Sequence, residues 1–241
     1  MKLSIIIPAY NEERRLPRVL EAIEAYFRNQ GIVELKEVFV VDDGSEDRTA
    51  AVAESFEKRL PIHVLRFPLN RGKGAVTRDG MLSATGEWRL MYDADGATPI
   101  REIEHFARLL QEDPVPVMIG SRVLGREHAV VSMSWHRRFI GRVYHGLCAG
   151  LAPGIKDAAC GFKLFRADAA QQLFSLQTID RFAFDVEILA LAHELGMKVQ
   201  EVPVHWDAIP GSKVNLVTDT VQMAGAVMGL YFKKLFGGNV R

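Results

Sequence analysis

The sequence predicts an α/β fold with a mostly parallel central sheet flanked by helices. Short runs of apolar residues, rich in β-branched side chains, alternate four times with helical stretches in the first half of the chain. This alternation is typical of βαβ units, whose strands lie parallel in one sheet. A polar cluster follows each of these strands, and parallel sheets bind ligands at the carboxyl ends of their strands. The pattern therefore predicts a binding site at that edge of the sheet.

The first half contains four predicted strands joined by helices. Residues 3–7 form a continuous apolar run that suits a strand buried on both faces, and residues 16–27 have helical spacing. Ser45 is predicted to cap the helix after the second strand, with acidic residues in its first turn. Thr98 and Pro99 are predicted to begin the helix after the fourth strand. The four strands are expected at residues 3–7, 38–41, 62–65 and 88–92.

The second half of the chain is less regular. Strands are expected at residues 117–119 and 199–206, and another is expected directly after the stretch 156–163. Helices are expected at residues 185–195 and 215–236, and a further helix is expected to begin near residue 167. We predict a single sheet-containing domain over residues 1–213. Residues 214–241 are predicted to form a C-terminal helix that either lies on a membrane surface or packs against the domain.

Composition narrows the class of protein. The 241 residues have a formal net charge of zero, so overall electrostatics give no reason to expect a nucleic-acid partner. The two cysteines, Cys148 and Cys160, provide no disulfide framework, and a reducing compartment is expected. The first apolar run stops at Pro8, which indicates a buried strand rather than a signal peptide. No apolar run reaches the about 18 residues that a membrane-spanning helix needs.

The strongest chemical signal lies at residues 88–98, Trp-Arg-Leu-Met-Tyr-Asp-Ala-Asp-Gly-Ala-Thr. The apolar strand ends in two carboxylates, Asp93 and Asp95, which point to the same side if strand geometry continues that far. Two such carboxylates stay ionised when a cation lies between them. A hard divalent cation, Mg²⁺ or Mn²⁺, takes one or two carboxylates and completes its shell with phosphate oxygens and water. We therefore predict a metal site at Asp93 and Asp95, with Gly96 letting a ligand approach the backbone.

Two other clusters are candidates for binding a phosphorylated ligand. Residues 70–74, Asn-Arg-Gly-Lys-Gly, lie between a strand and a helix, where glycines permit close approach and the cations Arg71 and Lys73 suit phosphate. At the end of the second strand, Asp42 or Asp43 can accept hydrogen bonds from a base or a ribose. Both clusters also suit plain turns, so their residue types alone leave the two interpretations open.

Several common kinds of site are absent from the sequence. Residues 70–74 lack the spacing of a Walker loop, and no Gly-x-Gly-x-x-Gly pattern follows the first strand. The histidines lack zinc-ligand spacing, and no Gly-x-Ser-x-Gly elbow occurs. A dinucleotide enzyme, a zinc enzyme and a serine hydrolase are therefore disfavoured.

Four motifs occur in one order: Ile-Ile-Pro-Ala-Tyr-Asn-Glu at 6–12, Val-Asp-Asp-Gly-Ser at 41–45, Asn-Arg-Gly-Lys-Gly at 70–74 and Asp-Ala-Asp-Gly at 93–96. Together they resemble family 2 glycosyltransferases with the GT-A fold. Gly-Ser-Arg at 120–122, Cys-Gly-Phe-Lys-Leu-Phe at 160–165, Phe-Asp-Val-Glu-Ile-Leu at 184–189 and Gly-Ser-Lys at 211–213 are similar to the dolichyl-phosphate β-glucosyltransferases of that family. Ala158-Ala159 departs from the family pattern, which has Thr-Gln there. The eukaryotic relatives also carry an N-terminal membrane anchor, whereas this sequence starts at the first strand.

The resemblance implies a metal-dependent, inverting transfer of glucose from UDP-glucose to a polyprenyl phosphate. Residues 1–213 would be the GT-A catalytic domain, held peripherally at the cytoplasmic face of a membrane. Asp93 is expected on the ribose and metal side, and Asp95 as the direct metal ligand. The residues expected at the nucleotide are Pro8, Ala9, Tyr10, Glu12, Asp42, Asp43, Arg71, Lys73, Asp93 and Ala94.

The acceptor implied by the resemblance is a phosphate monoester. Its second pKa lies near ~6, so it is mostly a dianion at neutral pH and needs no strong general base. Arg122 and Arg137 suit the task of holding it, because guanidinium binds phosphate in a fixed fork. Asp157 can orient the acceptor or the sugar, or cap a turn, and Lys213 can add a cation at the departing diphosphate. The predicted catalytic set is Asp93, Asp95, Arg122, Arg137, Asp157 and Lys213.

Three alternatives remain open from the sequence. The first is mannose transfer from GDP-mannose to the same kind of acceptor, and the second is a nucleotidyltransferase. The third is a membrane-surface binding module that keeps the fold without turnover. Two stretches are candidates for the membrane contact, residues 135–151, where arginines stand beside apolar residues, and residues 217–236, where an apolar helix ends in two lysines.

Overall fold

The computed structural model describes residues 1–28, 31–125, 146, 150–207, 209 and 218–235. Within these ranges the chain forms seven strands and seven helices. The strands are β1 Lys2–Ala9, β2 Glu34–Asp42, β3 Ile62–Arg66, β4 Trp88–Tyr92, β5 Val117–Ser121, β6 Phe162–Arg166 and β7 Val199–Pro203. The helices are α1 Leu16–Arg28, α2 Thr49–Glu54, α3 Lys73–Ser83, α4 Glu102–Glu112, α5 Ala167–Leu176, α6 Phe184–Glu194 and α7 Thr218–Leu235.

The seven strands form one sheet in the order β3-β2-β1-β4-β6-β5-β7. The pairs β1–β2, β1–β4, β2–β3 and β5–β7 are parallel, while β6 runs antiparallel to both β4 and β5. The start of β6 therefore lies at the same edge as the carboxyl ends of its neighbours. The predicted fold class, an α/β fold with a mostly parallel sheet flanked by helices, is confirmed.

Helices cover both faces of the sheet because the central strands are apolar on both sides. In β1, Leu3, Ile5 and Ile7 face a core built with α1, α2 and α4, while Ile6 faces a second core built with α3, α5 and α6. Side chains alternate between the two faces of a strand, which gives this division. The buried run predicted at residues 3–7 is confirmed.

Besides β2, which begins at Glu34 rather than at residue 38, three predicted boundaries are wrong. Ser45 does not cap a helix: α2 begins at Thr49, and the Ser45 hydroxyl instead accepts a hydrogen bond from the Asn11 N–H. The helix expected at Pro99 begins at Glu102, because tight turns precede it, in which the Glu102 N–H bonds the Pro99 carbonyl. The last strand ends at Pro203 rather than residue 206, because the following segment leaves the sheet and the Asp207 N–H donates to Ala97 in the loop after β4.

The C-terminal helix α7 packs against the rest of the chain along one side. Val227 is fully buried, and Leu230 and Tyr231 pack with it on a cluster that contains Val186 and Ala190 of α6. Met228 and Phe232, one helical turn apart, are 45% and 56% exposed. Among the helices that the structure describes, none has the length and apolar character that crossing a bilayer requires.

Candidate active site

The loops after β1, β2 and β3 are bound to one another at the carboxyl edge of the sheet. The Asp43 carboxylate accepts hydrogen bonds from the N–H groups of Arg71 and Gly72, at 2.6 and 2.9 Å. The Asp43 N–H in turn donates to the Ala9 carbonyl at 2.8 Å. Gly44 has a φ of +72°, and a side chain there would meet the backbone of Leu69. Hydrogen bonds between the loops at the strand ends therefore fix the shape of this edge of the sheet.

The two carboxylates predicted at the metal lie in a turn, not on a strand. β4 ends at Tyr92, and the Asp93 carbonyl accepts a hydrogen bond from the Gly96 N–H at 3.1 Å. Gly96 takes a φ of +66°, a conformation that favours glycine, and the Asp95 Oδ1 accepts the Ala97 N–H at 3.0 Å. The alternation argument for Asp93 and Asp95 therefore fails, because strand geometry stops before both residues.

Lys73, from the predicted phosphate-binding segment 70–74, contacts this acidic turn. Lys73 is the first residue of α3, and its Nζ lies 2.6 Å from Asp93 Oδ1. Burial alone favours the neutral amine, but the carboxylates of Asp93 and Asp185 outweigh it and raise the pKa of Lys73 to about 12. Burial alone likewise raises the pKa of Asp93, yet the Lys73 ammonium outweighs it and holds that pKa below the ordinary aspartate value. Both groups are therefore charged at neutral pH.

The donor set of the acidic turn fits a hard divalent cation. The described residues contain no cluster of three histidine, cysteine, aspartate or glutamate side chains, so a protein-only cage is not formed there. Two carboxylates are nevertheless a normal complement for Mg²⁺, which takes its other oxygens from substrate phosphates and water. Asp93 is engaged with Lys73, whereas Asp95 uses Oδ1 for a single backbone hydrogen bond. Asp95 is thus the better placed of the two to ligate a metal directly.

Several residues expected at the nucleotide are occupied by contacts within the protein. The Glu12 carboxylate is held by the Arg15 guanidinium, with Arg15 Nε 2.6 Å from Oε2. Asp42 is fully buried, and its Oδ1 accepts the Ser45 N–H at 3.0 Å. The Arg71 guanidinium lies 2.6 Å from Asp79 and over the Phe67 ring. These side chains shape the edge of the sheet, and the ion pair with Asp79 directs the Arg71 guanidinium toward α3 rather than toward Asp93.

Four other residues expected at the nucleotide differ in whether their side chain or only their backbone can reach a ligand. Pro8, Ala9 and Ala94 are buried, so they can present backbone groups but little side chain. Tyr10 is half-buried at the end of β1. A nucleotide lying across this edge would therefore meet main chain from two of the strand-end loops, and the Tyr10 ring from one of them.

Arg122 and Asp157 form an ion pair at the end of β5. The Asp157 carboxylate accepts the Arg122 N–H at 2.9 Å, Nε at 2.8 Å and one Nη2 hydrogen at 2.6 Å. Glu201 of β7 fixes Asp157 in turn by accepting its N–H at 2.7 Å. Burial alone would raise the pKa of Asp157, but Arg122 outweighs it and lowers that pKa. The Arg122 side chain is 35% exposed, and its bonds to Asp157 use only two of the five guanidinium N–H groups.

The structure does not place two of the predicted catalytic residues. Arg137 and Lys213 lie outside the described residues, as does most of the stretch 135–151 that was expected near a membrane. The charged groups that the structure does bring together are Lys73, Asp93, Arg122 and Asp157, all at the carboxyl edge of the sheet.

Three charged residues near this site were missed from the sequence. Arg15 bonds Glu12, and the carboxylates of Asp95 and Asp93 contribute to the rise in its pKa, although its bond to Glu12 is the larger cause. Lys163 and Asp185 form a buried ion pair beneath the acidic turn. The signal for Lys163 was available, because a lysine between Phe162 and Leu164 in an apolar strand must have a partner.

Comparisons with known proteins identify the family of the chain. Residues 4–174 match the sequence profile of glycosyl transferase family 2. The chain belongs to this family. A dolichyl-phosphate beta-glucosyltransferase of Dictyostelium discoideum is 37% identical over 246 residues, which cover 98% of this chain and 75% of that protein. A dolichyl-phosphate beta-glucosyltransferase of Trichomonas vaginalis is 39% identical over 231 residues, with coverages of 92% and 70%. The chain is accordingly a glycosyltransferase.

Solved structures support the same fold. Glucosyl-3-phosphoglycerate synthase from Mycobacterium tuberculosis, crystallised with Mn²⁺, UDP-glucose and phosphoglyceric acid, superimposes with a TM-score of 0.69 at 18% sequence identity. The match covers 95% of this chain and 79% of that protein. At this identity the likeness establishes the GT-A-type fold of the family 2 chain and not its substrates.

Proposed function

We propose that this chain transfers glucose from UDP-glucose to a polyprenyl phosphate, with inversion and with Mg²⁺ or Mn²⁺. The observation that carries the proposal is the acidic turn at Asp93–Gly96 beside the Lys73 ammonium, a combination suited to a metal-bound diphosphate. The names of the relatives, dolichyl-phosphate beta-glucosyltransferases, support the choice of sugar and lipid.

On the donor side, the nucleotide would lie across the carboxyl ends of β1, β2 and β4. Lys73 and Arg15 supply cations near its phosphates, and Asp95, with Asp93, would hold the metal. When bound, the metal neutralises charge that develops on the departing diphosphate. Lys213 is proposed to add a further cation on this side.

On the acceptor side, Arg122 would hold the phosphate of the lipid. The acceptor is mostly a dianion at neutral pH, since its second pKa lies near ~6. One of its oxygens attacks the anomeric carbon while the bond from that carbon to the β-phosphate oxygen of UDP breaks, and UDP leaves with the bonding electrons. Asp157 fixes the Arg122 guanidinium, so the attacking oxygen is held in line without a general base. Arg137 is proposed as a second cation for the same phosphate.

The choice of donor can be tested by thermal unfolding. With Mn²⁺ present, UDP-glucose at about 100 times its Kd adds about 2.7 kcal/mol to the free energy of unfolding. For a chain of this size the expected rise in Tm is about 5–10 °C. GDP-mannose at the same concentration should give little shift. A larger shift with GDP-mannose than with UDP-glucose would favour the mannosyltransferase alternative.

We propose that the exposed side of α7 brings the enzyme to the membrane. A polyprenyl chain cannot leave its bilayer cheaply, because each CH₂ transferred to water costs about 0.8 kcal/mol. Met228 and Phe232 are exposed, and they lie about 100° and about 140° around the helix axis from the buried Val227. Such a helix lies in the interface with its apolar side toward the acyl chains. In this arrangement residues 1–213 form the catalytic domain, and α7 both packs on it through Val227 and contacts the lipid through Met228 and Phe232.

The double substitution Met228→Gln/Phe232→Gln should weaken binding to anionic vesicles by about tenfold or more, since two apolar side chains lose their burial in lipid. UDP-glucose affinity should be unchanged. Ile32→Gln is the matched control, because Ile32 is an apolar residue with a similar exposure, 46%. It lies just before β2, at the edge of the sheet opposite the carboxyl ends of the parallel strands. Equal vesicle binding by the double variant and the control would place the membrane contact elsewhere.

A further inference from the structure

An ion pair beneath the acidic turn takes no part in the proposed chemistry. Lys163 lies on β6, and its Nζ contacts a carboxylate oxygen of Asp185 in the first turn of α6. The side chains of Lys163 and Asp185 are 1% and 8% exposed. Removing two charges from water is costly, and an apolar pair of similar size often serves a fold as well or better. The stability of the fold alone therefore does not account for this pair.

The pair is connected to Asp93 by a short series of contacts. Lys163 Nζ donates a second hydrogen bond, of 2.6 Å, to the Cys160 carbonyl. The next residue, Gly161, accepts the Asp93 N–H through its carbonyl at 3.2 Å. A Cβ atom on Gly161 would overlap the Asp93 carboxylate, so that carboxylate rests directly on the Gly161 backbone. The position of residues 160–161 thus sets the position of Asp93.

The strand pairing explains why these groups meet. Lys163 lies opposite Met91 in the antiparallel β4–β6 ladder, and Met91 precedes Asp93 by two residues. Met91 faces the core built with α3, α5 and α6, and α6 supplies Asp185 on that side. Lys73 reaches Asp93 from α3. Lys73, Asp93, Lys163 and Asp185 therefore form a cluster of two positive and two negative charges at the acidic turn.

We propose that Lys163 and Asp185 are positioning residues for the donor: they fix residues 160–161, and these hold the Asp93 carboxylate in place. This inference rests on the proposed function, since Asp93 is assigned to the donor side there. Lys163 has two roles in this arrangement, as the partner of Asp185 and as the donor to the Cys160 carbonyl. An apolar pair could replace the first role but not the second.

The double variant Lys163→Met/Asp185→Leu separates the two roles. Its Tm should stay close to that of the unaltered chain, because the pair is replaced by apolar side chains of similar size. Its kcat for glucosyl transfer should fall about 100-fold, the effect of a displacement of about 1 Å at a reacting group. Its affinity for UDP in the presence of Mn²⁺, measured by calorimetry, should also fall. If the pair were purely structural, a double variant with a nearly unaltered Tm would also keep its kcat and its UDP affinity.

Two further variants complete the test. Asp185→Asn keeps an oxygen acceptor for Lys163, so most of the kcat should be retained. Arg166→Met/Asp168→Asn is the matched control, because it removes an exposed ion pair at the end of the same strand and should not alter kcat. Gly161→Ala should displace the Asp93 carboxylate directly and lower kcat without involving Lys163.

The outcomes distinguish this inference from the proposed function. If the unaltered chain transfers no glucose from UDP-glucose, the proposed function fails, and UDP calorimetry on the double variant still tests the positioning role. If the unaltered chain is active and the folded double variant keeps its kcat and UDP affinity, the positioning role is overturned while the function stands. If the double variant does not fold, Gly161→Ala still tests whether residue 161 holds the Asp93 carboxylate in its active position, and a normal kcat in that variant overturns the inference.

Discussion

Asp95→Asn should lower the rate of glucosyl transfer about 10²–10³-fold, the loss expected when one preorganised group that stabilises developing charge is removed. The fold should survive, because asparagine keeps an oxygen for the Ala97 N–H that Asp95 Oδ1 now accepts. On the proposed function, what is lost is the negative charge that would hold a divalent cation against the departing diphosphate. The measurement is kcat with UDP-glucose and a short polyprenyl phosphate at saturating Mn²⁺.

Asp113→Asn is the matched control for Asp95→Asn. Asp113 follows α4 and pairs with Lys198 at the start of β7, away from the carboxyl edge of the sheet. This control should have a normal rate and a normal dependence on Mn²⁺. Near-normal transfer by Asp95→Asn, or full activity of the unaltered chain in excess chelator, would rule out the assigned metal site.

Arg122→Ala should raise the KM for the polyprenyl phosphate about 10- to 100-fold, since hydrogen bonds to a charged group contribute about 1.5–3 kcal/mol. The KM for UDP-glucose should change little. Arg122→Lys should restore part of the loss, because lysine binds phosphate as a point charge without the guanidinium fork. The fold should be weakened in Arg122→Ala, because Asp157 is left buried without its partner.

Arg78→Ala is the control for the loss of a partly buried, paired arginine. Arg78 is 20% exposed and lies 2.9 Å from Asp180, on α3 rather than at the end of β5. It should weaken the fold without changing the KM for the acceptor. If Arg122→Ala instead raises the KM for UDP-glucose and leaves that for the lipid unchanged, the donor and acceptor sides have been exchanged.

The sheet was predictable from the sequence because its signals are local. Continuous apolar runs such as residues 3–7 identify strands buried on both faces, and β4 was predicted with its observed bounds, Trp88–Tyr92. The antiparallel direction of β6 was not predicted, because direction depends on the long connection between residues 121 and 162 rather than on the strand itself. Ser45 was misassigned as a cap because its hydroxyl has a distant partner, Asn11, which no local rule identifies.

The candidate site was predictable in its residue types and less so in its geometry. Asp93 and Asp95 were expected to lie on one side of a continuing strand, but β4 ends at Tyr92 and the chain turns there. The metal site assigned to them stays a prediction. Lys73 was expected near phosphate, and its 2.6 Å contact with Asp93 links that loop to the acidic turn. Lys163 and Asp185 were missed as a pair, because their contact joins β6 to α6 across 22 residues.

The most direct test of the proposed function is product analysis with the unaltered chain. The protein is incubated with UDP-glucose, Mn²⁺ and a polyprenyl phosphate in anionic vesicles, and both the lipid and the nucleotide products are identified by mass spectrometry and NMR. We expect a β-linked glucosyl phosphate lipid and an equal amount of UDP. Release of inorganic diphosphate with formation of a nucleotide-sugar, or transfer of mannose from GDP-mannose with none of glucose from UDP-glucose, would contradict the proposal.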